Sequence, residues 1–233
     1  CDREVLEGDS VDFCARREGE ATMLELVNVL ASGVRGDFSR ITGLSWRTPD
    51  GQCMRNPDRP LVKNLDAMPH PDKDNVILPE YYETSHFNNS FTARGCPFKC
   101  NFCAQDKVWS RVVRYRSLPS IQDEVERMVS RWGFNQINIM DDTFTADKAR
   151  TREIARYMGS RKLTWNCYTR ADCLTRDLVQ EMAAGGCTEM GLGLESASEE
   201  MLKHMVKDET LAEIEQAMRW CQEAGMLLHM FVM

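Results

Sequence analysis

The chain has 233 residues, with 29 Lys and Arg against 36 Asp and Glu, a net charge of −7 and 42% hydrophobic residues. That is enough apolar surface for a core, so disorder is excluded as the default, and the acidic balance argues against a protein that grips a phosphate backbone. No apolar run is long enough to cross a bilayer, and Cys1-Asp2-Arg3-Glu4 has neither the basic nor the apolar region of a signal peptide, so the expectation is a soluble, cytoplasmic protein with no nucleic-acid partner.

In chain order, Met23, Leu24, Val27 and Leu30 recur at helical spacing after Glu18-Gly19-Glu20. Two extended runs, Ile41 to Arg47 and Gln52 to Arg55, flank the turn residues Pro49-Asp50-Gly51 and predict a hairpin. Five of the eight prolines lie between Pro57 and Pro79 among many charges, a composition that favours an extended connector and a domain boundary. The expected division is therefore 1–56, a connector over 57–87, and a second domain over 88–233.

From there the pattern repeats. An extended run at Ser90-Phe91-Thr92-Ala93 is followed by a helix with Ile121, Val125, Met128 and Val129 on one face, Ser120-x-x-Asp123 as its start signal and Gly133 as its stop. Strands are predicted at 136–140, 163–169, 189–194 and 227–232, with helices over about 146–160, 176–184 and 209–223; the last opens with Thr210-x-x-Glu213 and closes at Gly225. Alternation of this kind predicts right-handed βαβ units and a parallel sheet of five strands. The chain begins without Met and stops in the apolar run Leu227 to Met233, so it reads as a fragment.

Parallel β/α sheets place ligands at the carboxyl ends of their strands. Directly after the predicted strands come Gly95-Cys96, Asp141-Asp142, Arg170-Ala171-Asp172 and Glu195-Ser196. Of the 10 Cys, seven are scattered and are expected to be small buried apolar residues in a reducing compartment. The other three, Cys96, Cys100 and Cys103, fall within eight residues, close enough for one loop to bring three thiolates onto one inorganic site. Thiolates select zinc or iron–sulfur clusters. A structural zinc site wants a fourth ligand, and between Phe87 and Gly133 there is no further Cys or His; His86 is the nearest candidate but precedes the strand.

The C-x3-C-x2-C spacing with an aromatic at Phe102, following Ala93-Arg94-Gly95 at the end of a first strand, resembles the signature of radical S-adenosylmethionine (SAM) enzymes. The Pro-rich connector with Leu65-Asp66-Ala67-Met68-Pro69-His70-Pro71, the segments Ile139-Met140-Asp141-Asp142-Thr143-Phe144 and Thr169-Arg170-Ala171-Asp172, and Gly191-Leu192-Gly193-Leu194-Glu195-Ser196 are together similar to the subgroup that carries a cobalamin-binding domain. The resemblance implies an α/β fold: a partial (β/α)6 barrel, truncated in or after its fifth strand, preceded by the carboxy-terminal remnant of a Rossmann-like cobalamin-binding domain. Arg16-Arg17-Glu18-Gly19-Glu20 resembles the Gly-Glu-Gly-Glu stretch that ends that domain, with Arg17 where the pattern has Gly.

By the same resemblance Cys96, Cys100 and Cys103 would hold a [4Fe–4S] cluster whose fourth iron binds SAM, and reductive cleavage of SAM would yield a 5′-deoxyadenosyl radical. Phe102 would lie beside the adenine, Asp141 and Asp142 would stand in for the family's Gly-Gly-Glu segment, Arg170 would meet the SAM carboxylate, and Glu195 and Ser196 would face the ribose or amino group. The implied function is a cobalamin-dependent methyltransferase acting on an unactivated carbon or phosphinate centre of a small-molecule, lipid or natural-product substrate. A flavodoxin or ferredoxin would supply the electron. An oxidative cyclase or rearrangement enzyme of the same subgroup is the alternative; from other classes, an iron–sulfur electron-transfer protein or a zinc-stabilised binding module.

Plainer roles stand beside these. The aspartates could cap the next helix, Arg170 could pair with Asp172, Ser196-x-x-Glu199 could be a capping box, and Trp109, Arg111, Arg114 and Arg116 could form a solvated basic loop.

Overall fold

The computed structural model describes residues 2–8, 10–33, 37–74 and 87–233. The chain divides into two compact units, Cys1–Lys63 with Ala104–Ser110, and Asn64–Cys103 with Arg111–Met233.

The first unit contains α1 (Asp2–Glu7), β1 (Phe13–Ala15), α2 (Glu20–Ala31), β2 (Leu44–Arg47) and β3 (Cys53–Arg55). β2 pairs antiparallel with both β1 and β3, with Trp46 opposite Phe13 and Met54. The β2–β3 pair is the predicted hairpin, and Gly51 at φ 84 supplies its left-handed turn position. Leu26, Ile41 and Leu44 form a small core with Phe13, Phe38 and Trp46 packed on it. Arg16 is buried, donating to Ser45 Oγ at 2.5 Å and pairing with Asp58 at 2.8 Å. Its neighbour Arg17 sits at φ 61, the left-handed region that favours glycine.

The second unit carries β4 (Asn89–Ser90) and β5 (Ala93–Arg94), then, past α3 (Gln105–Val108) of the first unit, β6 (Arg114–Tyr115), α4 (Leu118–Trp132), β7 (Gln136–Ile139), α5 (Lys148–Ser160), β8 (Thr164–Thr169), α6 (Arg176–Ala184), β9 (Cys187–Glu195), α7 (Glu199–His204), α8 (Leu211–Glu223) and β10 (Leu227–Val232). Five strands form one parallel sheet in the order β10-β9-β8-β7-β4. Because the order follows the chain without reversal, this is barrel order rather than the doubly wound order with its switch point. One sheet face buries Ile137, Ile139, Trp165, Cys167, Met190 and Leu192 in a single core that also contains Val125 and Met128 of α4, Ile154 of α5, Leu178 of α6 and Ile214 of α8.

Three local expectations change. α4 begins at Leu118, earlier than its expected start, because Ser117 is the N-cap, accepting from Ser120 N, and Pro119 pre-sets the first turn; Ser120 lies inside the helix, which ends at Gly133 (φ 71) as expected. α7 is capped by Ser198 rather than Ser196, whose Oγ instead accepts from Ser198 N at 3.2 Å. The described half of the Pro-rich segment that belongs to this unit, residues 64–74, is packed rather than extended: Leu65 is buried, Asp66 accepts from Ser117 N at 2.9 Å, and Asp74 accepts from Trp132 Nε1 at 2.7 Å. Its charges are therefore partners for α4. The Thr210–Glu213 capping box of α8 is present as predicted.

Candidate functional site

The loop after β5 carries the three clustered cysteines. Its entry is fixed by Asp141, just past the end of β7. That carboxylate accepts from Thr92 N at 2.6 Å, from Ala93 N at 3.0 Å and from the Thr92 hydroxyl. Burial pushes the Asp141 pKa up, and the hydrogen bonds from Thr92 and Ala93 pull against it. Because two backbone N–H groups converge on Oδ1 and the Thr92 hydroxyl on Oδ2, Asp141→Ala, which leaves these buried donors without an acceptor, is expected to destabilise the protein by about 2–3 kcal/mol. A urea-unfolding midpoint indistinguishable from wild type would refute that clamp.

The far side of the loop is tied down as well. Asn101 N donates to Met205 O at 3.0 Å, and Asn101 Nδ2 donates to His204 O at 2.7 Å. Between these anchors, Cys96, Phe98, Cys100, Phe102 and Cys103 line one wall of a cleft of about 210 Å³ whose other lining includes Asp142, Thr143, Tyr168, Arg170, Gly193, Glu195 and Lys207. Cys96 Sγ lies 3.4 Å from Thr143 Oγ1. Arg170, 6% exposed, stacks over the Phe98 ring at 3.9 Å and donates from Nη1 to Cys100 Sγ at 3.4 Å. Burial raises the Cys100 thiol pKa, while the Arg170 and Lys207 cations favour the thiolate.

Arg170 is held on its other edge by Asp172, at 3.0 and 2.9 Å, and by the Lys207 carbonyl. The Arg170–Asp172 pair considered from sequence is thus present. Lys207 Nζ, also buried, stands 2.9 Å from Glu209 Oε2 and 3.6 Å from Glu195 Oε1. Val206 (φ 53), Asp208 (φ 56) and Glu195 (φ 59) all take positive φ. A β-branched residue in that region is uncommon and strained, and here the two flanking residues turn Lys207 inward. Gly193 completes the arrangement: a Cβ there would come within 2.5 Å of Glu195 Oε1 and 2.9 Å of Lys207 Nζ.

Of the residues singled out by sequence, the structure brings Cys96, Cys100, Cys103, Phe102, Asp142, Arg170 and Glu195 to one cleft. Asp141 and Ser196 lie outside its lining, engaged with Thr92 and Ala93 and with Ser198. Asp142 has its pKa raised to about 6, by burial first and then by Asp141. The basic loop is not uniformly solvated: Arg116 forms an enclosed ion pair with Glu124. Of the scattered cysteines, Cys167, Cys173, Cys187 and Cys221 are buried as expected, whereas Cys14 and Cys53 are part-exposed; Cys1 and His86 lie outside the described residues. Sequence reading missed Lys207, Glu209 and Phe98. Lys207 follows α7, well past the end of β9, and carries no motif of its own, although α7 belongs to the same β9–α8 connection.

The fold and cleft define a class: an α/β protein in barrel order with a three-thiol loop at the carboxyl ends of its strands. The profile described as Radical SAM superfamily matches residues 90–233, and the chain belongs to that superfamily. It is 30% identical over 219 residues to an uncharacterized methyltransferase of Pyrococcus horikoshii, covering 93% of this chain and 47% of the relative. It is also 28% identical to an anaerobic magnesium-protoporphyrin IX monomethyl ester cyclase of Rubrivivax gelatinosus, covering 93% and 40%. Among solved structures, the cobalamin-dependent S-adenosylmethionine radical enzyme OxsB superposes with TM-score 0.76 at 22% identity, covering 95% of this chain and 33% of that one, a likeness of fold. The chain thus spans about half or less of the length of these relatives. No described helix is long and apolar enough to cross a membrane.

Proposed function

We propose that the complete protein is a radical SAM enzyme in which Cys96, Cys100 and Cys103 hold a [4Fe–4S] cluster. The observation that carries this reading is the convergence of all three cysteines on one clamped loop facing a cleft that contains Arg170, Glu195 and Lys207. The donor set fits. Three thiols on one loop face one cleft, and in a cluster each thiolate binds a different iron. When bound, the cluster and SAM supply the electron and the radical precursor.

The chain's own residues bind and orient. Arg170 braces Cys100 from one side, and Asn101 fixes the loop from the other. The role foreseen for Arg170, meeting the SAM carboxylate, is shared with Lys207, since most Arg170 donors already have protein partners and the Lys207 ammonium lines the same cleft. Asp142 and Glu195 are the acceptors available to an amino group or ribose hydroxyls, and the Phe102 ring, 37% exposed, offers a face to the adenine. Asp141 holds the loop and Ser196 shapes the turn into α7.

The methyltransferase and cyclase relatives leave two reactions for the whole protein. We favour methylation with cobalamin as methyl carrier: the relative at 30% identity is an uncharacterized methyltransferase, and the connector and the Arg16–Glu20 stretch support cobalamin, which either reaction of the subgroup would share. The test is anaerobic incubation of the complete protein with SAM, reductant and candidate substrates. 5′-Deoxyadenosine together with S-adenosylhomocysteine supports methylation; 5′-deoxyadenosine alone supports cyclisation or rearrangement. Absence of both, with cluster loaded, would overturn the radical SAM assignment of function.

A further inference from the structure

Parallel sheets covered on both sides are apolar on both faces. Here the face opposite the helical core carries an in-register polar row: Asn89 opposite Asn138, Asn138 opposite Asn166, and Asn166 opposite Glu189. Glu189 in turn meets His229 of β10 at 3.1 Å. Since alternate residues share a face, Tyr168 and Arg170 stand above Asn166, and Gly191 and Gly193 above Glu189. The row is the floor of the same wall whose upper end forms the thiol cleft.

The direction of the amide chain is fixed by backbone. Asn88 Nδ2 donates to the Gln136 carbonyl at 2.9 Å, so its Oδ1 must accept, and it does so from Asn138 Nδ2 at 2.7 Å. Asn138 Nδ2 also reaches Asn89 Oδ1 at 3.0 Å, which leaves Asn138 Oδ1 to accept from Asn166 Nδ2 at 2.7 Å. Asn166 therefore ends the chain with its carbonyl oxygen, a buried atom that has no hydrogen-bond partner among the described residues. The next group in the row is the Glu189 carboxylate, a second acceptor. A buried acceptor without a donor costs about 1–3 kcal/mol, so Asn166 Oδ1 calls for a donor from outside the chain, and the part-exposed Glu189 carboxylate beside it, one oxygen of which meets His229, adds negative charge that favours a cationic donor.

Asn166, Glu189 and His229 line a cavity of about 270 Å³ whose remaining walls include Tyr168, Gly191 and Phe231. The Tyr168 and Phe231 rings, 5.8 Å apart, lean over Gly191, where a Cβ would come within 2.5 Å of one and 2.9 Å of the other. The cavity is thus aromatic above and acceptor-rich below. We propose that it binds a small molecule with a flat apolar body, held by Tyr168 and Phe231, whose amine or other N–H group donates to Asn166 Oδ1 and the Glu189 carboxylate. As a substrate site it rests on the radical SAM reading, because the same sheet face leads up to the thiol cleft; as a binding site it does not.

Benzylamine and benzoate are matched probes, one ending in a donor and the other in acceptors. Calorimetric titration of the complete protein, without reductant, should give benzylamine binding at least about tenfold tighter than benzoate, the worth of one charge-assisted hydrogen bond. Glu189→Gln keeps the volume and should abolish that preference with an unchanged melting temperature. Equal binding of the two probes, binding of neither, or an undiminished preference in Glu189→Gln would overturn the proposal. These outcomes do not depend on iron content or SAM cleavage, so a failure here and a failure of the radical reading are told apart.

Discussion

Cys100→Ala in the whole protein is expected to reduce 5′-deoxyadenosine formation to background and to remove most of the iron. Each of the three thiols is one of the only protein ligands that the loop offers, and Cys100 is the one set against Arg170 and Phe98 at the centre of the cleft wall. Replacing it leaves a site with two thiolates, too few to hold a cluster whose irons each need a protein or substrate ligand. The contrast is Cys221→Ala. Cys221 is fully buried between α8 and the sheet, beside Met190, and burial pushes its pKa up to about 12, so it stays a neutral packing group. That variant should lose about 1 kcal/mol of stability and keep its iron. If Cys100→Ala retains SAM cleavage while Cys221→Ala loses it, the cluster does not sit on the clustered loop.

Trp165→Ala is expected to cost about 3–5 kcal/mol, a large fraction of a domain's stability. Trp165 is completely buried, packs edge-on against Phe144 at 5.5 Å, and donates from Nε1 to the Gly185 carbonyl at 2.8 Å. It therefore joins β8, the loop after β7 and the α6–β9 turn in one contact set. Trp165→Phe retains most of the ring volume but leaves the buried Gly185 carbonyl without this donor, and should cost about 1–3 kcal/mol. Urea unfolding reads both, as a lower midpoint at unchanged slope. Midpoints for both variants within error of wild type would mean that this contact set does not hold the second unit together.

The last four strands and their helices were legible because local signals agreed with the global pattern, whereas the run Ser90–Ala93 expected as the first strand is split, Ser90 lying in β4 of the parallel sheet and Ala93 in β5, which pairs with β6 in a separate two-stranded sheet. Ile137 and Ile139 alternate with polar residues, Gly133 ends α4, and Thr210 with Glu213 opens α8. The three cysteines were legible because their spacing is local. What was not legible depends on contacts across sequence. Nothing near Asp141 says that it will reach back to Thr92 while its neighbour Asp142 faces the cleft; a tandem pair at a strand end splits between the two sides of the loop, and only the fold decides which. Ser196 and Ser198 compete for one cap, and the winner is set by where the chain leaves β9. Lys207 and Glu209 carry no motif, and become part of the site only because two positive-φ residues turn that segment inward. The asparagine row is invisible one strand at a time: Asn89, Asn138 and Asn166 look like unremarkable polar residues until register places them side by side.

The most direct measurement of the central claim is the iron, sulfide and zinc content of the complete protein purified without oxygen. About four irons and four sulfides per chain, lost when Cys96, Cys100 and Cys103 are all replaced by Ala, is the predicted result. Zinc bound at these cysteines, with neither iron nor sulfide, would contradict it.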